Sequence, residues 1–460
     1  MTDPAAGTLQ ERKAPPARRR RPRLPAKRRS TERLRFLFVA YAFPPIPYAG
    51  TYRTMRLCNG LAERGHSVEV VTLHPGRGIH RDPELTARLH GNVIVHRTRT
   101  VDPWLFYRKE VLPRARLRPL RAALGRFVSF ISIPDHMVFW VPFAVRKCRD
   151  LLRERAVDFL YTTSPPHSEQ LIGLALKRRF GVPWIADLRD PITENIAYDS
   201  DRIPRLQRLA EARLERSIVQ HADAILVNTE HARRICQSKY PGCTRFRTLR
   251  NFYDPREFGR ALPRWETFTI SHVGSVYSHR NPEALFEAVS RLVRRSSGDP
   301  LPIRLNFVGL SDGRMQELVE RYRLSSHVTL RDMVSHREAL RIMQRSHLLL
   351  VLKGFGERGH GQIPGKLYEY IGSGNRILCI GPRESECSRI VEELGLGPCV
   401  AGDAGELARV LEREYERFRR RRPGTSSARI DRRRQVFSLE RAIETFLSVA
   451  GEVADRAGSG

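Results

Sequence analysis

GFGERGHGQIPGKLYEYIGSGNRILCI, residues 354–380, is the stretch on which the reading of this chain turns. It follows the apolar run 347–352, which ends at Lys353, so the order is buried strand, glycine-rich loop, helix and second buried strand. Pro364 suits the first helical turn, and Gly374 with Asn375 suits the exit. Neighbours three and four apart place Lys366, Glu369 and Tyr370 on one helical face. A loop with many exposed backbone N–H groups here meets the positive end of a helix, which makes an anion site. Lys366 can neutralise a phosphate, and Glu369 one turn deeper can accept both hydroxyls of a vicinal diol. A nucleotide offers both groups. The plain alternative is a solvated lysine and glutamate on a surface helix.

The run IPGKLYEYIGSGNRIL resembles the donor-site segment of the retaining glycosyltransferases of family 4, in the branch with PxKxxEY typical of surface-polysaccharide biosynthesis. The resemblance implies that Glu369 holds the ribose of a nucleotide-sugar and that Lys366 lies near its diphosphate. It also implies that the loop residues Gly361, Gln362 and Ile363 face the donor. Gly361 stands where the commoner family pattern has an earlier glutamate.

A second motif, HVGSVYSHRNPEALFEAV, begins at His272. Gly274, directly after a strand, lets a diphosphate approach the backbone, and Arg280 can reach it with a planar guanidinium. The family usually reads GRxxxxK here. This chain has Ser275 at the arginine position and Arg280 at the lysine position, leaving Lys353 or Arg358 as candidates for a second cation.

The amino-terminal half opens on LRFLFVAYAF, a strand, then a turn-rich loop at 44–50, a helix at 51–64 and a strand at 67–73, which together form a βαβ unit. Ligands of such folds gather at the carboxyl ends of the strands. FPPIPYAGTYR and LAERGHSVEVVTLHP resemble the family's amino-terminal domain, in which Gly50 would touch phosphate by its backbone; a plain turn glycine is the alternative. DFLYTTSPPHS resembles the family's surface-polysaccharide branch. Its two prolines force an extended turn that leaves Ser164, His167 and Ser168 near the crevice, on the acceptor side. GVPWIADLRDP ends a further strand in Asp187, Arg189 and Asp190. Family members often have histidine at the position of Arg189, which is read as acceptor-side, while Asp190 matches and joins Arg280 and Lys366 as a catalytic candidate. An Arg189–Asp190 pair that merely fixes the loop is the alternative. Residues 333–345 read as a helix that packs on the sheet without chemistry.

At 460 residues the chain is long enough for two domains. We expect a disordered basic tail at 1–33, an amino-terminal acceptor-side domain at 34–255 and a nucleotide-sugar-binding domain at 256–435. A last helix at 436–460 would cross back to the first domain. The net charge is +31. Residues 1–33 hold 11 Lys plus Arg against 3 acidic residues, so +8 belongs to the tail and +23 to the rest. Such a balance favours polyanions, and residues 114–133, where arginines are scattered among Leu, Ala and Phe, read either as a segment that lies on an anionic membrane surface or as a surface helix packed on its own domain. Nucleic-acid signatures are missing. The seven cysteines, without CxxC spacing, read as reduced thiols of a cytoplasmic protein, peripheral at the inner membrane face. No apolar run reaches the length of a spanning helix.

The fold class expected is α/β: GT-B, two Rossmann-like domains facing across a cleft. The function implied is transfer of a sugar, with retention, from a nucleotide-sugar to a saccharide or lipid-linked acceptor. No cofactor is implied, and no DxD pair implies a metal. A nucleotide-sugar 2-epimerase of the same architecture and a non-catalytic polyanion-binding protein on a degenerate transferase fold remain open at this point.

Overall fold

The computed structural model describes residues 33–76, 79–101, 128, 131–194, 204–276, 280–295, 302–310, 313–354, 360–420 and 432–458. The basic tail up to residue 32, most of the 114–133 segment and Arg358 lie outside the described residues.

Among the described residues the chain forms two wholly parallel sheets. The first has seven strands: β1 (Arg35–Val39), β2 (Ser67–Leu73), β3 (Val93–Thr98), β4 (Phe159–Thr163), β5 (Trp184–Arg189), β6 (Ala224–Val227) and β7 (Phe246–Thr248), in the order β3-β2-β1-β4-β5-β6-β7. The second has six: β8 (Phe268–Val273), β9 (Ile303–Val308), β10 (Val328–Arg331), β11 (Leu348–Leu352), β12 (Arg376–Ile380) and β13 (Cys399–Val400), in the order β10-β9-β8-β11-β12-β13. In each sheet the order reverses beside the first strand, at β1/β4 and at β8/β11, and such switch points open a crevice at the strands' carboxyl ends.

The near-continuous burial of β1, β4, β6, β8 and β11 follows from helices on both faces of each sheet. On one face of the first sheet lie α1 (Ala49–Glu63) and α2 (Pro83–Ala87). The other face carries α3 (Val141–Glu154), α4 (Glu169–Phe180), α5 (Arg205–His221) and α6 (Glu230–Lys239). The second sheet is covered by α7 (Glu283–Arg295), α8 (Arg314–Arg321), α9 (His336–Arg345), α10 (Lys366–Ser373), α11 (Glu386–Glu393) and α12 (Ala404–Arg420).

The last helix, α13 (Leu439–Gly458), belongs by packing to the first domain: Leu439, Ile443, Phe446 and Val453 are buried with Phe36, Phe38 and Leu61. Two chain segments therefore join the domains. They meet where Tyr253 N–H donates to Phe437 O at 3.0 Å and Leu439 N–H to Tyr253 O at 2.8 Å. This is the GT-B architecture, two Rossmann-like domains across a cleft. Among the described residues, no helix is long and apolar enough to cross a membrane.

Candidate active site

The helix α10 starts one residue after the expected proline turn. Gly365 is its N-cap, Pro364 precedes the helix, and Gly374 ends it at φ +81°. Of the face the sequence predicts, Tyr370 anchors the helix to β8, because Val273 N–H donates to its hydroxyl at 2.8 Å. That contact sets Lys366 and Glu369 at the carboxyl end of β8.

Lys366 is not a solvated surface lysine. Its ammonium lies over the Gly274 turn, so near that a side chain added at Gly274 would meet Nζ at 2.9 Å, and it hydrogen-bonds His272 Nε2 at 2.8 Å. Gly274 has φ +111°, a conformation open to glycine. Burial, and then the positive charge of Arg280, pushes the Lys366 amine down to about 7, with Glu369 acting in the opposite sense. Arg280 is itself 8% exposed. Lys366 thus lies over a turn whose glycine has no side chain to shield it, and Arg280 is near enough to make the Lys366 charge harder to keep. An anion placed between them would relieve that repulsion.

Glu369 is held from both domains. Its Oε1 accepts from Arg56 Nη2 of α1 at 3.2 Å and from His336 Nε2 of α9 at 3.0 Å. Burial works against its charge, but the His336 hydrogen bond and the Arg56 guanidinium overcome this and hold the carboxyl down at about 2. Both contacts go to Oε1, so Oε2 remains for a diol. His336 is the residue that the sequence reading missed in a helix assigned no chemistry. Its Nδ1 faces Arg88 Nη1 at 3.3 Å, and its ring lies on Tyr52, centroids 4.7 Å apart.

Arg56 and Arg88 also both donate to Glu257, in the segment between the domains. Glu257, His336 and Glu369 bring ligand atoms within 4.8 Å of one another, a spacing a metal ion could use, but here guanidinium groups meet those carboxylates. A cleft of about 520 Å³ opens beside this network, between α1, α2 and α9.

The glycine loop is placed differently from expectation. Gly361 packs directly on the His231 ring of α6, so it serves close approach of the two domains. The Gln362 carbonyl accepts from Lys353 Nζ, which makes Lys353 a buried anchor of the loop. Ile363 is buried in the domain core, so it can offer a ligand only its backbone. Ser275 follows Gly274 in the turn and is partly buried.

In the amino-terminal domain Gly50, at the start of α1, lies against the Arg189 guanidinium, with no room for a side chain between them. Arg189 has φ 54°, uncommon for a residue with a side chain, at a register break in β5. It donates from Nε to Ser164 O at 2.6 Å and from Nη2 to Pro165 O at 2.5 Å. The pairing of Arg189 with Asp190 therefore does not occur; Asp190 instead accepts from Asn228 Nδ2 at 3.2 Å, and burial raises its carboxyl above the usual range. None of the contacts of Asp190 reaches Lys366 or Arg280.

Ser164, His167 and Ser168 do not stand open at the crevice. All three are buried, because Ser168 N and Oγ bond Asp135 at 2.9 and 2.7 Å while Gln170 ties Ser164 Oγ to Asp187 O. Both ring nitrogens of His167 are buried without a hydrogen-bond partner, and burial lowers its basicity.

Arg53 of α1 ties the helix to β5 and to residues 249–251 of the first domain. It reaches Asp187 Oδ2 at 3.0 Å, Leu249 O at 2.8 Å, and Arg250 O and Asn251 Oδ1 at 3.0 Å each. The signal for Arg53 and Arg56 was present: two arginines three apart inside an apolar helix. On the opposite side of the cleft, Glu386 of α11 accepts from the N–H groups of Glu230 and His231 at 3.1 and 3.0 Å, capping α6 across the domain boundary.

Residues 49–251 match a protein family described as "Glycosyl transferase 4-like domain". No curated protein matches the chain in sequence. Among solved structures the chain is similar to a sucrose-phosphate synthase from Thermosynechococcus elongatus, with TM-score 0.60, 13% identity, and 90% of this chain and 98% of that one covered. It is also similar to Anabaena HepE in complex with UDP, with TM-score 0.57, 11% identity, and coverage of 90% and 99%. A third likeness is to WaaG, a glycosyltransferase involved in lipopolysaccharide biosynthesis, with TM-score 0.51, 16% identity, and coverage of 92% and 100%.

Proposed function

We propose that the chain is a glycosyltransferase, in keeping with the family match over residues 49–251, and that it moves a sugar from a nucleotide-sugar to a saccharide or lipid-linked acceptor, with retention of configuration. The observation that carries the donor reading is the Lys366 ammonium lying over the Gly274 turn with Arg280 nearby, and the Glu369 carboxylate one helical turn away. Two cations suit a diphosphate, and an ionised carboxylate with one oxygen open suits the ribose diol. The UDP bound by the similar HepE is consistent with this chemistry.

In transfer, the bond between the sugar's anomeric carbon and the diphosphate breaks, and charge grows on the leaving oxygen. Lys366 and Arg280 would stabilise that charge. In the reading with retention, the acceptor hydroxyl approaches from the side the diphosphate leaves, gives its proton to the departing phosphate oxygen and forms the new bond to the same carbon. The acceptor would enter against the first domain, beside Gly50 and Arg189. Exposed Leu206 and Leu209 on α5, interleaved with exposed Arg205 and Arg208, support an acceptor presented at an anionic lipid surface.

The test is a screen of UDP-, GDP- and ADP-sugars by thermal shift and calorimetry, with Lys366→Met and Glu369→Ala as controls. One donor should stabilise the wild type and neither variant. Equal response of all three proteins would place the donor elsewhere.

A further inference from the structure

His272 sits where β8 calls for an apolar residue. Phe268 and Ile270 precede it at the strand's two-residue period and are buried in the core of the second domain, and the His272 ring packs beside Phe307, centroids 5.9 Å apart. At 1% exposure it has no access to bulk water. An imidazole kept in such a place needs partners for both nitrogens, and it has them. Nδ1 lies 2.9 Å from Leu350 O, and since a carbonyl only accepts, the proton is on Nδ1. Nε2 therefore presents a lone pair, and the Lys366 ammonium lies 2.8 Å from it.

We propose that His272 is a positioning residue for the donor diphosphate: its Nε2 lone pair holds the Lys366 ammonium over the Gly274 turn without neutralising it. The proposal rests on the donor-site reading given above. A carboxylate in the place of His272 would hold the ammonium equally well but would cancel the charge that the diphosphate needs. An alkyl side chain would leave the ammonium to seek other partners, Glu369 among them. The neutral imidazole orients the cation and leaves its charge directed at the turn. Burial, with the adjacent Lys366 and Arg280, holds the ring far from its protonated form, so the lone pair stays available through the physiological range.

The groups facing Lys366 are His272 from β8, Arg280 from the turn after β8, and Glu369 from its own helix. A diphosphate arriving there would raise the affinity of Lys366 for its proton, so binding above pH 7 would take up a proton and weaken as pH rises. Removing the Nε2 lone pair destabilises the ammonium, and the alkaline limb of binding would move to lower pH.

The experiment measures the affinity of UDP, GDP and ADP by calorimetry from pH 6 to 9 and follows the one the wild type binds. His272→Leu is expected to weaken it about tenfold or more at pH 7 and to shift the alkaline limb down. His272→Gln, which keeps an acceptor near the Nε2 position, should stay within about threefold. In a Lys366→Met background, His272→Leu should change nothing further. If His272→Leu does not fold, His272→Phe, matched to the Phe307 contact, replaces it. Equal losses in the Gln and Leu variants, an unmoved limb, or a loss that persists without Lys366 would overturn the role of His272. Should the wild type bind none of the three diphosphates, the donor-site reading itself falls; should it bind one and lose it in Lys366→Met while the His272 variants match the wild type, only this inference falls.

Discussion

Arg53 and Lys366 are two cations at the cleft, one buried and one partly buried, one in each domain, and they are solvated by the protein in opposite ways. Arg53 meets a fully buried carboxylate, Asp187, together with two carbonyls and an asparagine oxygen. Burial opposes its charge, yet Asp187 more than compensates and the guanidinium holds its proton more tightly than usual. Lys366 has a neutral imidazole for a partner and a second cation, Arg280, nearby. The first cation is complete without a ligand. The second is left short of negative charge, which is the state a site for an anionic leaving group needs before the ligand arrives.

The largest expected effect tests the complete partner. Arg53→Met leaves Asp187, and the Tyr161 hydroxyl that bonds it at 2.5 Å, buried without their cation. It should cost about 3–5 kcal/mol of stability by urea unfolding. Lys366→Met removes an uncompensated charge and should not destabilise. A similar loss in both variants would erase the distinction between them.

Glu369→Ala is next. It removes the carboxylate assigned to the ribose and should weaken binding of the preferred nucleotide by about 2–4 kcal/mol in calorimetry. Arg56 keeps Glu257 as a partner, so the domain contact persists, but a carboxylate whose proton affinity the fold lowers contributes stability at neutral pH, and part of it should be lost with the His336 contact. Unchanged affinity would remove Glu369 from the donor site.

The difference between the two cations also shows what was legible in the chain. Both sheets and the placement of Lys366 followed from apolar runs and from the glycine and proline punctuation around them, because burial and turn geometry are local properties. Lys366 and Glu369 were visible for the same reason: they lie on one helix at a fixed spacing. The partners of those residues were not. Arg56 is 313 positions from Glu369 and His272 is 94 from Lys366, and no periodicity relates residues joined only by tertiary packing. His336 was hidden in an ordinary helix. Asp190 turns to Asn228 and Ser164 to Gln170, and a position at the end of a parallel strand says nothing about which neighbour its side chain will choose.

A pH series sharpens the comparison further. The folded Lys366 amine lies at about 7, below its usual 10.5, so between these values the unfolded chain keeps a proton that the folded chain has released. Stability from this group therefore rises as pH increases from 7 toward 10.5, and the full penalty is present below 7. The stability gap between Lys366→Met and the wild type should narrow from pH 7 to pH 9, by on the order of 2 kcal/mol. A gap independent of pH would show that Lys366 is solvated in the folded state.

The smallest effect concerns the coupling of Lys366 to Arg280. Each should lose diphosphate affinity when changed to Ala or Met, but the two losses should not add. In the free protein Arg280 depresses the proton affinity of Lys366, so Arg280→Ala removes one phosphate partner and at the same time makes the other easier to keep charged. The single variant is thereby partly compensated, and the compensation vanishes when Lys366 is already Met. Bound diphosphate adds a second coupling of opposite sense, because both cations act on the same charge and either one alone captures part of its stabilisation. The two senses are separable by pH. Below pH 6 Lys366 is protonated regardless of Arg280, and only the shared charge remains, so the double variant should lose less than the sum by about 1 kcal/mol. Near pH 8 the recovery of the Lys366 proton in Arg280→Ala should offset that deficit. A coupling energy of the same size at both pH values would mean that Arg280 does not face Lys366 across the diphosphate site.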